Sequence, residues 1–358
     1  MKKLTSFLCL FLTVLLLTAC GQTPGNTAPV RKDPQQMLID ASRSYFQYDI
    51  KPIEVSHGED YVIEWVDAGM EEHIRFLLDK PKGDILHSDV WDVQILRFAP
   101  DKGTPHDVML THPVEGWDTF FSDTIEFVEY KEAVWHAYGF REFPDVQSLA
   151  DLRHFDSLQL LSLSGTPETP VDPAGLEHCV HLKTLEVYHT SEQILDIAAG
   201  LTELEQLLFS CSGSVDLSAL QGHPTVRTLY LGGQELDSLE PLAAMPNLRA
   251  LSLEEATFPS LEPLTETNLE ALDITVSEGA RGMYSELDYE PLSRIESMVC
   301  LKLTNHTAFD PEACTAVLEG CPNLKYLDIK YTPAANAIAD GTWEPDLSGL
   351  EAYMAIPD

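Results

Sequence analysis

The sequence predicts an α/β fold built as a right-handed solenoid, with short parallel strands stacked along one side and compact turns or helices along the other. Three observations predict it. From residue 158 onward one register recurs: apolar, two variable, apolar, one variable, apolar. It reads Leu158/Leu161/Leu163, Leu182/Leu185/Val187, Leu204/Leu207/Phe209, Val226/Leu229/Leu231, Leu248/Leu251/Leu253, Leu269/Leu272/Ile274, Met298/Leu301/Leu303 and Leu324/Leu327/Ile329. The first members follow one another at 24, 22, 22, 22, 21, 29 and 26 residues, and a period of that size marks stacked units that bury their apolar faces on neighbours. A second apolar set lies between the strands, in Asp216–Leu220, Leu239–Leu242, Leu261–Leu264 and Glu290–Leu292, where Pro241, Pro263 and Pro291 suit the start of a short helical turn.

The L-x-x-L-x-L register at this period resembles the leucine-rich repeat, and the compact turns resemble its 22-residue bacterial subtype. That resemblance implies a parallel sheet on the concave face. The family usually places Asn at the ninth position, where its amide bonds turn backbone. Here the position holds Thr166, Thr190, Ser212, Gln234, Ala256, Ser277, His306 and Thr332, so hydroxyls are expected to make part of the ladder. Residues Val276 to Tyr289 read as an insertion within one repeat. Cys314–Leu324 implies a longer convex helix in the last repeat.

Taken in chain order, the N-terminus comes first. Lys2 and Lys3 precede an apolar run from Phe7 to Leu17, followed by Leu17-Thr18-Ala19-Cys20. This is the pattern of a secretory signal, and the run is shorter than the roughly 20 residues a membrane span needs. The tetrad resembles the lipobox of bacterial lipoproteins, which implies cleavage after residue 19 and an acylated (palmitate-bearing) Cys20 that anchors the chain outside the cytoplasm. Residues 20–36 are Pro/Gly/Thr-rich and read as a flexible tether, reaching roughly 22 Å. Residues 37–98 form an N-terminal segment and cap. In it Asp67 caps a helix whose face is Met70/Ile74/Leu77, and Val93/Leu96/Phe98 continue the repeat pattern. The stretch 66–98 resembles the helical cap that precedes internalin-like repeats.

Residues 99–157 read as irregular or divergent repeats. Either Ile125/Val128/Tyr130 or Val134–Phe140 is the strand there, and Val146, Leu149 and Leu152 form a convex segment. The repeats then run over 158–332, and 333–358 close the C-terminal end with Trp343, Leu347 and Leu350 as packing residues. With Cys9 in the signal and Cys20 acylated, Cys179, Cys211, Cys300, Cys314 and Cys321 remain. An odd remainder at unrelated positions is a poor disulfide framework, and these five read as small buried hydrophobes.

The formal charge of −36, from 22 basic and 58 acidic residues, argues against nucleic acid as a partner, because phosphate binding needs clustered cations. Motifs for acyl or phosphoryl transfer and for calcium binding are absent from the sequence. His178-Cys179-Val180-His181 is the one dense metal-like cluster, and its place in a convex-to-strand connection makes its side chains diverge. No cofactor or metal is expected. His87, His106 and His112 fall in the irregular region as a remote candidate for a shared site.

Strand alternation turns the residues between the core leucines toward the concave face. Partner-binding candidates there are Leu160, Glu186, Tyr188, Leu208, Tyr230, Glu254, Asp273, Lys302, Tyr326 and Asp328. Tyr188, Tyr230, Tyr326, Leu160 and Leu208 are expected to be exposed where folding alone does not require them, and tyrosine is favoured at interfaces. The reading is an extracytoplasmic, lipid-anchored interaction module that binds a protein, with an acidic rim suited to a basic partner. A cell-wall glycan stacked on the three tyrosines is the alternative, and an enzyme within 37–157 the third reading.

Overall fold

Eight consecutive strands of one sheet each place a leucine at the same level, and that alignment builds the molecule. The computed structural model describes residues 34–46, 50–98, 108–111, 134–136, 145–164, 170–211 and 213–355. The signal and Cys20, most of the tether, Ile125/Val128/Tyr130, His106, His112, Thr166 and Ser212 lie outside the described residues.

Strands β1 (Ile95–Phe98), β2 (Val108–Leu110), β3 (Val134–His136), β4 (Leu160–Ser164), β5 (Thr184–Thr190) and β6 (Gln206–Cys211) come first. They are followed by β7 (Ser214–Val215), β8 (Thr228–Gly232), β9 (Glu235–Leu236), β10 (Ala250–Glu254), β11 (Ala271–Asp273), β12 (Cys300–Lys302), β13 (Tyr326–Asp328) and β14 (Ala352–Met354). The main sheet has the order β14-β13-β12-β11-β10-β8-β6-β5-β4-β1-β2-β3, parallel except at β1–β2 and β2–β3. Short β7 and β9 pair separately. The fold is therefore an α/β leucine-rich-repeat solenoid, in which one coil supplies one strand.

Leu161, Leu185, Leu207, Leu229, Leu251, Leu272, Leu301 and Leu327 stand opposite one another across seven parallel pairings. None is more than 1% exposed. The rung above it, from Leu163 through Phe209 to Ile329, is equally buried. Convex elements seal the other side: α3 (Gln193–Ala198), α4 (Glu240–Ala243), α5 (Pro311–Gly320), α6 (Pro333–Ala339) and several single 3₁₀ turns. Pro occupies the first turn of α4, α5 and α6, where its missing N–H leaves no helical bond unmade. A side chain on Gly320 would collide with the Ser293 carbonyl 2.0 Å away, so α5 lies hard against the preceding coil.

Position nine keeps its ladder with residues of many kinds. Gln234 Nε2 donates to the Phe209 carbonyl, Thr190 Oγ1 to that of Val171 and Thr332 Oγ1 to that of Ile329. His306 is the most elaborate case. Its Nε2 reaches the Ile274 carbonyl at 2.6 Å and its Nδ1 the Tyr289 hydroxyl at 2.7 Å, with Tyr284 stacked on the ring. The two tyrosines come from the 276–289 insertion, which thereby pays for the missing asparagine. Burial holds the imidazole down at about 4.

The cap follows the expected pattern. Asp67 accepts the Met70 N–H at 2.7 Å to start α2 (Ala68–Leu77), which buries Met70, Ile74 and Leu77. The second Asp67 oxygen takes the N–H groups of Gln147 and Ser148, and Asp151 takes those of Val66 and Asp67. Two buried carboxylates thus join the cap to the first convex turn. At the other end, residues after 332 supply α6 and one further parallel strand, β14, with Trp343 and Leu350 packed on the core. Among the described residues the five cysteines are all buried and none is in a disulfide.

Candidate functional site

The concave face of the sheet carries three in-register rungs. The lowest runs Leu160, Thr184, Gln206, Thr228, Ala250, Ala271, Cys300, Tyr326, Ala352; the middle one runs Ser162, Glu186, Leu208, Tyr230, Ser252, Asp273, Lys302, Asp328, Met354. Among the described pairs, the upper rung sets Ser164 beside Tyr188 and Gly232 beside Glu254. All ten candidates from the sequence stand on this face, as the alternation requires.

Their exposure departs from the expectation. Leu160, Leu208, Glu186 and Asp328 are buried, between 1% and 7% exposed. For Asp328 the cover is a segment of the same chain. Helix α1 (Pro34–Phe46) begins within the tether expected over 20–36 and lies on the concave face at its C-terminal end, against β13 and β14. Phe46 packs on Ala250, Ala271 and Cys300, three small residues in successive places on the lowest rung, with Tyr45 and Tyr326 beside it. Thr228 Oγ1 donates to the Tyr45 carbonyl at 2.9 Å. Burial and the Glu270 carboxylate push the Tyr45 hydroxyl up to about 12.

Farther on, two glutamines at the feet of β1 and β4 hold the chain. Gln94 exchanges both its amide groups with the backbone of Ile53, at 2.8 and 3.1 Å, and Gln159 Nε2 donates to the Lys51 carbonyl at 2.7 Å. Residues 34–46 thus lie at the last strands of the face, and residues 51–53 at its first. Sequence reasoning missed this cover. The readable signals were Pro34 opening a run with Leu38, Ser42 and Phe46 at spacings of four, and the consecutive small residues Ala250, Ala271 and Cys300.

What stays open is the upper half of the face. Tyr188 and Tyr230 are half-buried and meet edge to face at 6.3 Å. The Tyr230 hydroxyl donates to Glu254 at 2.5 Å, and burial raises its pKa far above the usual phenol range. Gly232 lets this ring lie flat along the sheet, since a side chain there would meet the Tyr230 hydroxyl at 2.9 Å. Toward β13, Lys302 Nζ binds Asp273 at 2.8 Å and Tyr326 donates to Glu351 at 2.8 Å. A cavity of about 220 Å³ lies under α1, lined by Leu38, Ile39, Ser42 and Phe46 on one side and by Asp273, Cys300, Lys302 and Asp328 on the other.

His87 belongs to a second cluster, with His57, Tyr61, Trp91 and His154, which the sequence did not suggest. His57 stacks on Trp91 and pairs with Asp156 at 3.0 Å and Asp92 at 2.8 Å. Burial works against the His57 cation, but the hydrogen bonds to the two carboxylates overcome it and raise its pKa. Tyr61 stacks on His87 and meets His154 Nδ1 at 2.7 Å. These contacts fasten residues 57–61 to the cap. Among the described residues no group of His, Cys, Asp and Glu is placed to hold a metal ion. His178 lies 3.9 Å from Glu177 and His181 lies 3.4 Å from Glu203, so the two histidines turn to separate carboxylates. Among the described residues no helix is long and apolar enough to cross a membrane.

No family model and no curated protein matches the chain. Among solved structures it is similar to an internalin (inlF) from Listeria monocytogenes, at 14% identity and a TM-score of 0.39, over 82% of this chain and 91% of that one. Internalin C2 of the same species gives 14% identity and a TM-score of 0.36, over 81% and 93%. A leucine-rich-repeat protein of Leptospira interrogans gives 14% and 0.30, over 58% and 62%.

Proposed function

We propose that this chain is a lipid-anchored, extracytoplasmic interaction module that binds a protein partner at the open upper half of its concave face. The observation that carries the reading is the Tyr188–Tyr230–Glu254 cluster. Two aromatic rings and a carboxylate stand together across the middle and upper rungs of the concave face, although the sheet's stability comes from the leucines on its other side. Tyrosine pairs of this kind bury area on association while keeping their hydroxyls bonded. The surplus of acids favours a basic partner by steering the encounter. No catalytic role enters this reading.

The anchor is Cys20, which stands fourteen residues before Pro34. One acyl chain binds a membrane only marginally, so stable attachment requires at least two. A glycan is the weaker candidate, because the Tyr230 and Tyr326 hydroxyls are committed to Glu254 and Glu351. The test is affinity capture with the full body, followed by Tyr188→Ala with Tyr230→Ala. A protein partner retained by the parent and lost from the double variant supports the reading; retention on wall polysaccharide without a protein partner would overturn it. Acyl labelling that persists in Cys20→Ser refutes the anchor.

A further inference from the structure

Helix α1 shows what the lower half of the concave face accepts. Leu38, Ser42 and Phe46 recur every four residues and so share one side of the helix. Leu38 and Phe46 are its buried side chains, and Phe46 drops into the notch left by Ala250, Ala271 and Cys300. The notch is three strands wide, between Thr228 and Tyr326, and its size suits one aromatic ring. The lower rung is thus shaped for a helix with an aromatic anchor.

The fit is incomplete. The cavity of about 220 Å³ remains between α1 and the sheet. Its floor holds two carboxylates, Asp273 and Asp328, and one cation, Lys302, which is bonded to Asp273. Asp328 is buried with the Lys330 N–H at 3.2 Å and the Lys330 ammonium 3.6 Å away, and burial raises its pKa. Of the α1 residues that line the cavity, Leu38, Ile39, Ser42 and Phe46, Ser42 alone carries a polar side chain. A cation at the level of Ser42 would stand over two carboxylates that share Lys302 and Lys330, adding a charge-assisted contact.

Seating is also shallow. A 13-residue helix is marginal on its own. Burial of two apolar side chains has to offset the backbone entropy of every residue ordered. Such an element forms where it docks and is readily exchanged.

We propose that this groove is a docking site for a basic amphipathic helix of a protein partner, and that α1 is its resident stand-in, displaced when the partner binds. The proposal rests on the reading of the chain as a protein-binding module and assigns the partner's chemistry: an aromatic anchor for the notch, an aliphatic residue two turns before it, and Lys or Arg one turn before it, at the level of Ser42. The chain's charge of −36 draws such a helix in.

The probe is a labelled synthetic peptide of residues 34–46 carrying Asp40→Lys and Ser42→Lys, titrated into the full chain. Phe46→Ala in the protein empties the notch without touching the leucine core, and the peptide should then bind at least tenfold more tightly than to the parent. In that background Cys300→Phe fills the notch and should weaken the peptide at least tenfold. Asp328→Asn removes the floor charge at nearly constant volume; it should weaken the peptide by a similar factor and serves if Cys300→Phe fails to fold. Equal affinity for the parent and Phe46→Ala chains, or affinity indifferent to both floor variants, overturns the proposal. Peptide binding that survives Tyr188→Ala with Tyr230→Ala, while partner capture is lost, separates the groove from the tyrosine cluster. Thus a failure of this proposal and a failure of the functional reading give different results.

Discussion

Thr228 and Leu229 are neighbours in β8 and point to opposite faces of the same sheet. Leu229 stands in a rung of eight leucines, each packed on the coils before and after it. Thr228 stands in a rung whose members include Gln206, Ala250 and Leu160. The first face meets copies of itself, so each repeat imposes the same residue on the next. The second meets non-repeating chain, residues 34–46 and 51–53, so each position answers to whatever passes over it. One face is periodic because its partner is periodic; the other is irregular because its partner is unique.

The comparison breaks if Leu229→Ala is mild. Removing this side chain leaves a cavity between fixed strands that cannot collapse, and about 4 kcal/mol should be lost. A urea titration should show the midpoint fall with the slope unchanged. A loss below about 1 kcal/mol would mean that the coils relax independently and that the rung is not a shared core.

The next effect concerns the ends of the coils. His306 is held neutral at about 4 by burial, whereas the unfolded chain takes up its proton near the ordinary histidine value. Between those values the unfolded state binds more protons, so stability rises with pH over that window and falls as the pH drops toward 4. The contribution is on the order of 3 kcal/mol from pH 7 to 4. His223 and His154 shift in the same direction by burial, while His57 shifts the other way. Replacing His306 with Asn, which restores the usual amide, should therefore flatten the profile without abolishing it. An unchanged profile in urea titrations at several pH values would show that the ring is already charged in the fold.

These two experiments also mark how far the residues spoke for themselves. The leucine rungs, the cap at Asp67 and the buried cysteines were legible because each follows from a local rule repeated or from a spacing of three or four. The concave residues were placed on the correct face for the same reason. Burial of Leu160, Glu186, Leu208 and Asp328 was not legible; the cover over Asp328 comes from α1, at the other end of the chain. The pairing of His306 with Tyr284 and Tyr289 was hidden in the same way, because the insertion breaks the period that made everything else readable.

A smaller effect tests the near end of the covering segment. Gln94→Ala deletes both bonds to Ile53 and leaves that backbone N–H unpaired, which costs roughly 1–2 kcal/mol. Amide exchange should speed up over residues 50–57 and stay slow along β5 to β12. Uniform acceleration through the repeats would instead make residues 50–53 part of the solenoid core.

The smallest effect comes back to β8. Thr228→Val keeps the shape of the side chain and removes the hydroxyl that donates to the Tyr45 carbonyl. A net hydrogen bond of this kind is worth about 1 kcal/mol or less, and the carbonyl it frees belongs to Tyr45, in the last turn of α1. Global unfolding should therefore hardly move, while amides of residues 38–46 exchange several-fold faster. Leu229→Ala, one residue along, should do the reverse, shifting the global midpoint and the α1 amides together. If Thr228→Val lowers the midpoint as much as Leu229→Ala does, the cover is as deep a part of the fold as the leucines, and α1 is no exchangeable occupant of the face.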